Sequence, residues 1–173
     1  NRHSPGKRMK AAVVAANEEV RAARKKRGTD DDMGTTLVGA WIGPEGLRWI
    51  SVGDSLLLLI REEKMFLLNT LHQYSTELEQ MVEEGSISRE EALSHPSRHS
   101  LTSALMGKEV PLVDLHDECF PLLPGDRLLV ASDGAGPCLD SLGPAGMRYL
   151  SLLSAEELVR SVLDGIGRDG APN

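Results

Sequence analysis

The chain has 173 residues, 40% of them hydrophobic and 26% charged, proportions that are typical of a folded globular domain and exclude disorder over the whole length. Its 26 acidic and 19 basic side chains give a formal net charge of −7, which repels a phosphate backbone and argues against a nucleic-acid partner. The longest apolar runs, such as Leu56 to Ile60, are far shorter than the roughly 20 residues that span a bilayer. We therefore expect one domain over residues 1 to 173, no membrane partner and a cytoplasmic location.

Periodicity and turn residues predict a helix and two pairs of strands in the first half of the chain. Apolar residues at three- and four-residue spacing indicate a helix that ends before Gly28. Gly43-Pro44-Glu45-Gly46 and Glu62-Glu63-Lys64 interrupt runs rich in apolar residues, as hairpin turns do. The predicted elements are Arg8 to Arg27, Thr35 to Ile42 with Leu47 to Val52, and Leu56 to Arg61 with Met65 to Leu68.

The second half is predicted to be mixed. Ser88 with Glu91, and Ser154 with Glu157, have the spacing of capping boxes that open helices. The predicted elements are a helix around Leu78, Met81 and Val82, a short helix from Ser88, strands at Val110 to Asp114 and Arg127 to Ala131, and a helix from Ser154 through Leu163. The Gly-rich stretch from Gly165 to Asn173 is expected to be a frayed or cut end. Runs of strands and runs of helices predict an α+β fold with antiparallel sheet.

Asp133 is the first candidate for chemistry. It follows the apolar stretch Leu128 to Ala131, expected to be a buried strand, and a carboxylate at a strand end is well placed to bind a hard divalent cation. Spacing alone favours an Asp-Gly turn without a role over a metal ligand. The residues by themselves leave both interpretations open.

Gly53-Asp54-Ser55-Leu56 is similar to the motif of hydrolases named for a Gly-Asp-Ser-Leu nucleophile. Because Leu56 to Ile60 is predicted to be further strand and no Asp-x-x-His follows, Ser55 is not expected to be a nucleophile. His116-Asp117-Glu118-Cys119 carries metal-ligand residue types, but neighbours on an extended segment point to opposite faces, so a solvated loop is expected. Both thiols, Cys119 and Cys138, are expected to be reduced and buried.

Seven blocks of this sequence, in the same order, resemble the bacterial branch of the metal-dependent protein phosphatase 2C family. The blocks are Met33-Gly34-Thr35-Thr36-Leu37-Val38, Trp49-Ile50-Ser51-Val52-Gly53-Asp54-Ser55, Glu84-Gly85-x-Ile87-Ser88-x-Glu90-Glu91-Ala92, His95-Pro96-Ser97-Arg98, Leu101-Thr102-Ser103-Ala104-Leu105, Pro124-Gly125-Asp126 and Leu128-Leu129-Val130-Ala131-Ser132-Asp133-Gly134. The resemblance covers about Arg8 to Leu163. It implies a four-layer α-β-β-α fold, in which two antiparallel sheets form a sandwich flanked by helix pairs.

The resemblance also implies a function. In that family, aspartates hold two Mg²⁺ or Mn²⁺ ions, and a bridging water attacks the phosphorus of phosphoserine or phosphothreonine. Asp133 matches a metal-binding aspartate, and Asp54 matches a position whose role is taken as mainly structural. The implied partners are a phosphoprotein substrate and a cognate Ser/Thr kinase. The Asp30-Asp31-Asp32 loop and a Gly136 to Met147 insertion are expected to govern substrate selectivity.

The sequence departs from the family pattern in its metal motifs. The first block, Asp-Gly-x-Gly-Gly, and the closing Asp-Asn block are absent, and Tyr74-Ser75-Thr76 stands by count where an Asp-His-Ser stretch is expected. Either the sequence is a domain incomplete at both ends, which we expect, or the metal centre has been lost. A catalytically inactive module that binds a phosphoprotein or regulatory partner is therefore the alternative to a phosphatase, and the 173 residues alone are expected to be inactive.

Overall fold

The computed structural model describes residues 4–28 and 33–169. These residues form two compact units: the described parts of Asn1–Asp54 with Thr70–Pro121, called unit 1, and those of Ser55–Asn69 with Leu122–Asn173, called unit 2. Each unit contains one three-stranded antiparallel sheet and its own helices, which confirms the predicted α+β class. The Asp30-Asp31-Asp32 loop lies outside the described residues.

The elements follow the predicted order, with additional helices near the end. In chain order they are α1 (Pro5–Arg27), β1 (Leu37–Gly43), β2 (Gly46–Val52), β3 (Leu56–Arg61), β4 (Lys64–Leu67), α2 (Tyr74–Glu83), α3 (Arg89–Ser94), β5 (Asp114–Phe120), β6 (Arg127–Ala131), a 3₁₀ turn (Asp133–Ala135), α4 (Gly136–Asp140), α5 (Pro144–Leu152) and α6 (Ala155–Asp169). The two predicted hairpins are confirmed, but they belong to different sheets.

In unit 1 the sheet has the order β1-β2-β5, and the central strand β2 is almost entirely buried. Helix α1 packs on this sheet through Met9 and Val13, which join Ile50 and Val52 in one core cluster. The helix begins three residues before the predicted start and ends at Arg27, and the Gly28 that caps it has a φ of 65°, which suits glycine. Burial of these apolar groups, rather than helix propensity, fixes α1 in place.

Strand β5 corrects the prediction of a strand at Val110 to Asp114. Pairing with β2 begins only at the last of those residues, and the strand continues to Phe120. The stretch from His116 to Cys119, expected to be a solvated loop, is therefore part of the sheet. Its polar side chains suit an edge strand: the Asp117 carboxylate accepts a hydrogen bond from the Gly6 N–H at 2.9 Å, and the His116 ring stacks on Trp49 at 4.0 Å.

Helices α2 and α3 of unit 1 have the predicted signals at their ends. Leu78 is the buried residue of α2, and Gly85 follows the helix with a φ of 74°. At the start of α3 the Ser88 hydroxyl accepts from the Glu91 N–H, while the Glu91 carboxylate accepts from the Ser88 N–H. This capping box lowers the pKa of Glu91, since both backbone and side-chain bonds favour its charged form.

In unit 2 the sheet has the order β4-β3-β6, and the central strand β3 is buried from Leu56 to Ile60. The β3–β4 turn places Glu62 and Glu63 at positive φ, 49° and 61°. Beyond the end of β4, the Asn69 side chain continues the ladder: its Oδ1 accepts from the Leu57 N–H at 2.7 Å and its Nδ2 donates to the Ser55 carbonyl at 2.9 Å. A side-chain amide thus satisfies two backbone groups at the start of β3.

Strand β6 is less buried than predicted. Only Leu129 of the stretch Leu128 to Ala131 is buried, and Val130 is 54% exposed. The cause is its position at the edge of the sheet, where it pairs with β3 on one side and one face turns outward. The apolar composition of the strand was therefore a poor guide to its burial.

The end of unit 2 is more helical than predicted. Most of the Gly136 to Met147 insertion, expected to be a loop, forms α4 and the start of α5, with Cys138 and Met147 buried. Helix α6 opens at the predicted Ser154 capping box but continues to Asp169, so residues 165 to 169 are not a frayed end. Gly165 faces the Cys138 sulfur, where an added Cβ would lie 2.4 Å from that atom.

Candidate functional site

Asp133 lies just beyond the end of β6, at the first residue of the 3₁₀ turn. The turn is closed by the Ala135 N–H, which donates to the Ser132 carbonyl at 3.1 Å. Because Ala131 pairs with Leu56, this turn stands at the sheet edge where β3 begins. The Asp133 side chain is exposed and receives no hydrogen bond from any residue that the structure describes. The turn thus holds the backbone at Asp133, while the carboxylate has no described partner.

Asp54 has a different environment. It is 7% exposed, and its Oδ2 accepts a hydrogen bond from Gln73 Nε2 at 3.2 Å. The preceding Gly53, at a φ of 100°, exchanges two bonds with His72: its N–H donates to His72 Nδ1, and its carbonyl accepts from the His72 N–H, both at 3.0 Å. This arrangement supports the structural role suggested for Asp54, since its carboxylate is already bonded within unit 1.

The remaining sequence candidates do not form a catalytic group. Ser55 leads into β3, as expected, and unit 2, to which it belongs, contains no histidine. Both cysteines are free thiols, but only Cys138 is buried; Cys119 is exposed on β5, which corrects the expectation that both would be buried. Strand β5 is an edge strand that places alternate side chains on opposite faces, which explains the exposure.

The described side chains can be compared with the ligands that a Mg²⁺ or Mn²⁺ site needs. Across residues 4–28 and 33–169, no group of three or more His, Cys, Asp or Glu side chains could hold a metal ion. Mg²⁺ is usually held by one or two carboxylates, with water and substrate phosphate completing six oxygen ligands. Asp133 fits such a site as a single carboxylate ligand, and the described residues do not supply a complete set.

No helix in the described part of the chain is long and apolar enough to cross a membrane.

No family model matches the sequence, but individual proteins do. The chain is 32% identical over 165 residues to the serine/threonine protein phosphatase PstP of Mycobacterium tuberculosis, a match that covers 94% of this chain and 31% of PstP. The crystal structure of the Mycobacterium tuberculosis phosphatase PstP/Ppp superimposes with a TM-score of 0.73 at 28% identity, over 95% of this chain and 66% of that one. The chain is thus similar to bacterial serine/threonine protein phosphatases of the 2C type. A second structure, the PstP catalytic domain in complex with two manganese ions, matches with a TM-score of 0.68 at 26% identity, over 94% of this chain and 65% of that one.

The likeness confirms the α+β fold of protein phosphatase 2C, and the chain spans about a third of the length of PstP. Within this fold, Asp126 of the Pro-Gly-Asp block has a structural role. Its carboxylate accepts from Arg61 Nε at 2.8 Å, from Arg61 Nη2 at 2.6 Å and from the Leu123 N–H at 2.7 Å. The guanidinium of Arg61 is the main cause that lowers the pKa of Asp126. The block therefore ties the turn before β6 to the end of β3.

One buried residue, His72, was not indicated by any sequence pattern. His72 is a scattered single histidine in the printed sequence, yet it is 5% exposed and holds the turn at Gly53. Burial lowers the pKa of His72, an effect that the charge of Asp114 partly opposes. No local signal distinguishes His72 from the other histidines, because its partner lies 19 residues away along the chain.

Proposed function

We propose that the protein is a metal-dependent protein phosphatase that hydrolyses phosphoserine and phosphothreonine with two Mg²⁺ or Mn²⁺ ions. The observation that carries this proposal is the match to PstP along 94% of the chain, joined to the two manganese ions of the PstP catalytic domain. When bound, such ions lower the pKa of a coordinated water and neutralise charge on the phosphate oxygens.

Within this proposal, Asp133 is a metal ligand. Three features support the assignment: its carboxylate is exposed, no described residue bonds to it, and it follows a strand of the unit 2 sheet. Strand pairing and the turn hold the backbone before Asp133, so no loop has to be ordered before its carboxylate binds an ion. The other ligands belong to parts of the protein outside the described residues, or to water and substrate.

The proposed substrates are phosphoproteins, and the proposed counterpart is a protein Ser/Thr kinase. The reaction consumes phosphoserine and phosphothreonine, which an ATP-dependent transfer to hydroxyl side chains must supply. Because ATP is a cytoplasmic reactant, we also propose a cytoplasmic location. The net charge of −7 favours substrates whose phosphorylated segments carry basic residues.

The alternative function is an inactive phosphatase-like module that binds a phosphoprotein or a regulatory partner. One observation favours it: no cluster of three metal-ligating side chains occurs among the described residues. This module would keep the fold and lack Mn²⁺-dependent hydrolysis under all conditions.

The experiment compares Asp133→Asn with Asp140→Asn in the whole protein. Asp140 is exposed on α4 and has no described partner, so it matches the charge change of Asp133 at a neighbouring position. We expect Mn²⁺-dependent hydrolysis of p-nitrophenyl phosphate to fall by orders of magnitude in Asp133→Asn only, with both melting temperatures close to that of the parent protein. Near-parental turnover of Asp133→Asn would refute the ligand assignment, and no turnover of the parent protein would favour the inactive module.

A further inference from the structure

A small cavity of unit 1 lies beside the first turn of α2 and the segment that leads into β5. Its volume is about 250 Å³, and its apolar wall is formed by Leu71, Leu112 and Val113. Two carboxylates, Glu77 and Asp114, also line it, while no Lys or Arg does so among the described residues. The cavity is therefore apolar on one side and negatively charged on the other.

A buried hydrogen-bond donor also lines this cavity. His72 is 95% buried, and its Nδ1 accepts the Gly53 N–H at 3.0 Å. In the neutral ring the proton must then sit on Nε2, because only one ring nitrogen carries it. No described residue accepts a hydrogen bond from Nε2. Every fully enclosed polar side-chain atom of the described residues has a hydrogen-bond partner. Nε2 is therefore not fully enclosed, and His72 is one of the residues that line this cavity.

The tautomer decides which ligand chemistry fits. A metal ion would need the lone pair of Nε2, but that nitrogen carries the proton as long as Nδ1 accepts from Gly53. An anion would meet the charges of Glu77 and Asp114 without a Lys or Arg to offset them. The remaining choice is an uncharged acceptor, such as a carbonyl oxygen, that is close to a positive group.

Asp114 is fixed in place for such a contact. Its Oδ2 accepts from Trp49 Nε1 at 3.2 Å and from the Thr70 N–H at 3.0 Å, and no described residue bonds to its Oδ1. A carboxylate oriented in advance binds a cation without losing side-chain freedom on binding. Glu77, on the exposed surface of α2, adds a second negative charge at the opening.

We propose that this cavity binds a basic segment of a partner peptide. A peptide carbonyl accepts from His72 Nε2–H, the neighbouring Arg or Lys side chain lies near Glu77 and Asp114, and an apolar side chain packs against Leu112 and Val113. The volume is below the usual 300 to 1,000 Å³ of small-molecule pockets, which suits one anchoring residue of an extended chain. The net charge of −7 steers basic segments toward the protein. The proposal goes beyond phosphate hydrolysis and does not depend on it.

The test uses the whole protein, without metal, and a fluorescein-labelled pentapeptide with a central arginine between two leucines. A matched peptide has glutamate in place of the arginine. We expect the fluorescence anisotropy to report binding of the basic peptide only. Glu77→Gln should weaken that binding about two- to fivefold, the range for an exposed ion pair, whereas Glu83→Gln, on the same helix but outside the cavity, should leave it unchanged.

A second readout follows the donor itself in the parent protein, which avoids any loss of folding in a His72 variant. In ¹⁵N-resolved NMR spectra, the His72 ring should have the Nε2–H tautomer, and its Nε2–H resonance should shift when the basic peptide is added. Equal binding of both peptides, an equal effect of Glu83→Gln, or an unshifted His72 signal at saturating peptide would each overturn the proposal. Since the peptides carry no phosphate, these outcomes are independent of the phosphatase activity.

Discussion

The side chain of Asn69 substitutes for a strand residue, and its removal should lower the free energy of unfolding. In Asn69→Ala, the Leu57 N–H and the Ser55 carbonyl lose the Asn69 amide, at a site where Asn69 is only 4% exposed and the bond to Leu57 is buried. A backbone N–H left unsatisfied in a buried place costs about 1 to 3 kcal/mol, which is the loss that we expect from Leu57. For a protein of this size, that corresponds to a fall in melting temperature of about 2 to 12 °C.

Asn17→Ala is the matched comparison for this prediction. Asn17 also bridges two backbone groups, the Lys108 carbonyl at 2.7 Å and the Gly107 N–H at 2.8 Å, but near solvent. Water can replace the lost amide there, and alanine improves helix propensity within α1, so the cost should stay below about 1 kcal/mol. Both variants are measured by urea unfolding followed by circular dichroism. Equal losses, or a loss below about 1 kcal/mol for Asn69→Ala, would refute the argument from burial.

Three further predictions concern burial, backbone geometry and pH. Leu57→Ala, at a fully buried position of β3, should lower the unfolding free energy by about 3 to 5 kcal/mol in urea melts, whereas Val130→Ala, at a 54% exposed position, should cost less than about 1 kcal/mol. Gly53→Ala should lower the melting temperature more than Gly85→Ala, since both have positive φ but only the first Cβ would meet a neighbouring side chain, at 2.3 Å. Burial lowers the pKa of His72 in the folded protein, so the unfolded state binds more protons and stability should decrease as the pH falls below about 6.5. His72→Gln should reduce this decrease in unfolding experiments at pH 8 to 5, and an identical pH profile would contradict the assignment.

The sequence predicted those elements whose signals are local. Helix α1 follows from its apolar spacing and from Gly28, and the capping boxes at Ser88 and Ser154 open helices as expected. Hairpin turns were also recognisable, because glycine, proline and charged residues interrupt apolar runs. These signals depend on residues within about four positions of one another, so no tertiary contact is needed to interpret them.

The errors arose where a distant partner decides the structure. Strand β5 contains several charged residues, so its composition does not indicate a strand. Its pairing with β2 makes it one. Pro137 and Pro144 looked like loop residues, yet each stands in the first turn of a helix, where proline needs no hydrogen bond from its nitrogen. Gly165 lies within α6, where the absence of a side chain lets the helix approach Cys138 closely.

The candidate metal ligand could be named from the sequence only through a family resemblance. An Asp-Gly dipeptide after a strand is common, and nothing in its spacing separates a ligand from a turn. The structure adds that the Asp133 carboxylate is exposed and has no described partner. In contrast, the ligand proposed for the cavity at His72 depends on which ring nitrogen accepts the Gly53 N–H. No sequence pattern encodes that property.

The sheet of unit 2 has a consequence for synthesis in the cell. Strands β3 and β4 form a local hairpin, but the second neighbour of β3 is β6, so that Leu56 pairs with Ala131 far along the chain. While a ribosome produces the intervening residues, which takes several seconds, one edge of the most apolar strand, Leu56 to Ile60, has no partner. An unpaired apolar strand edge is a template for association with other chains. Until β6 leaves the ribosome, this edge of the nascent chain is therefore open to association with other chains.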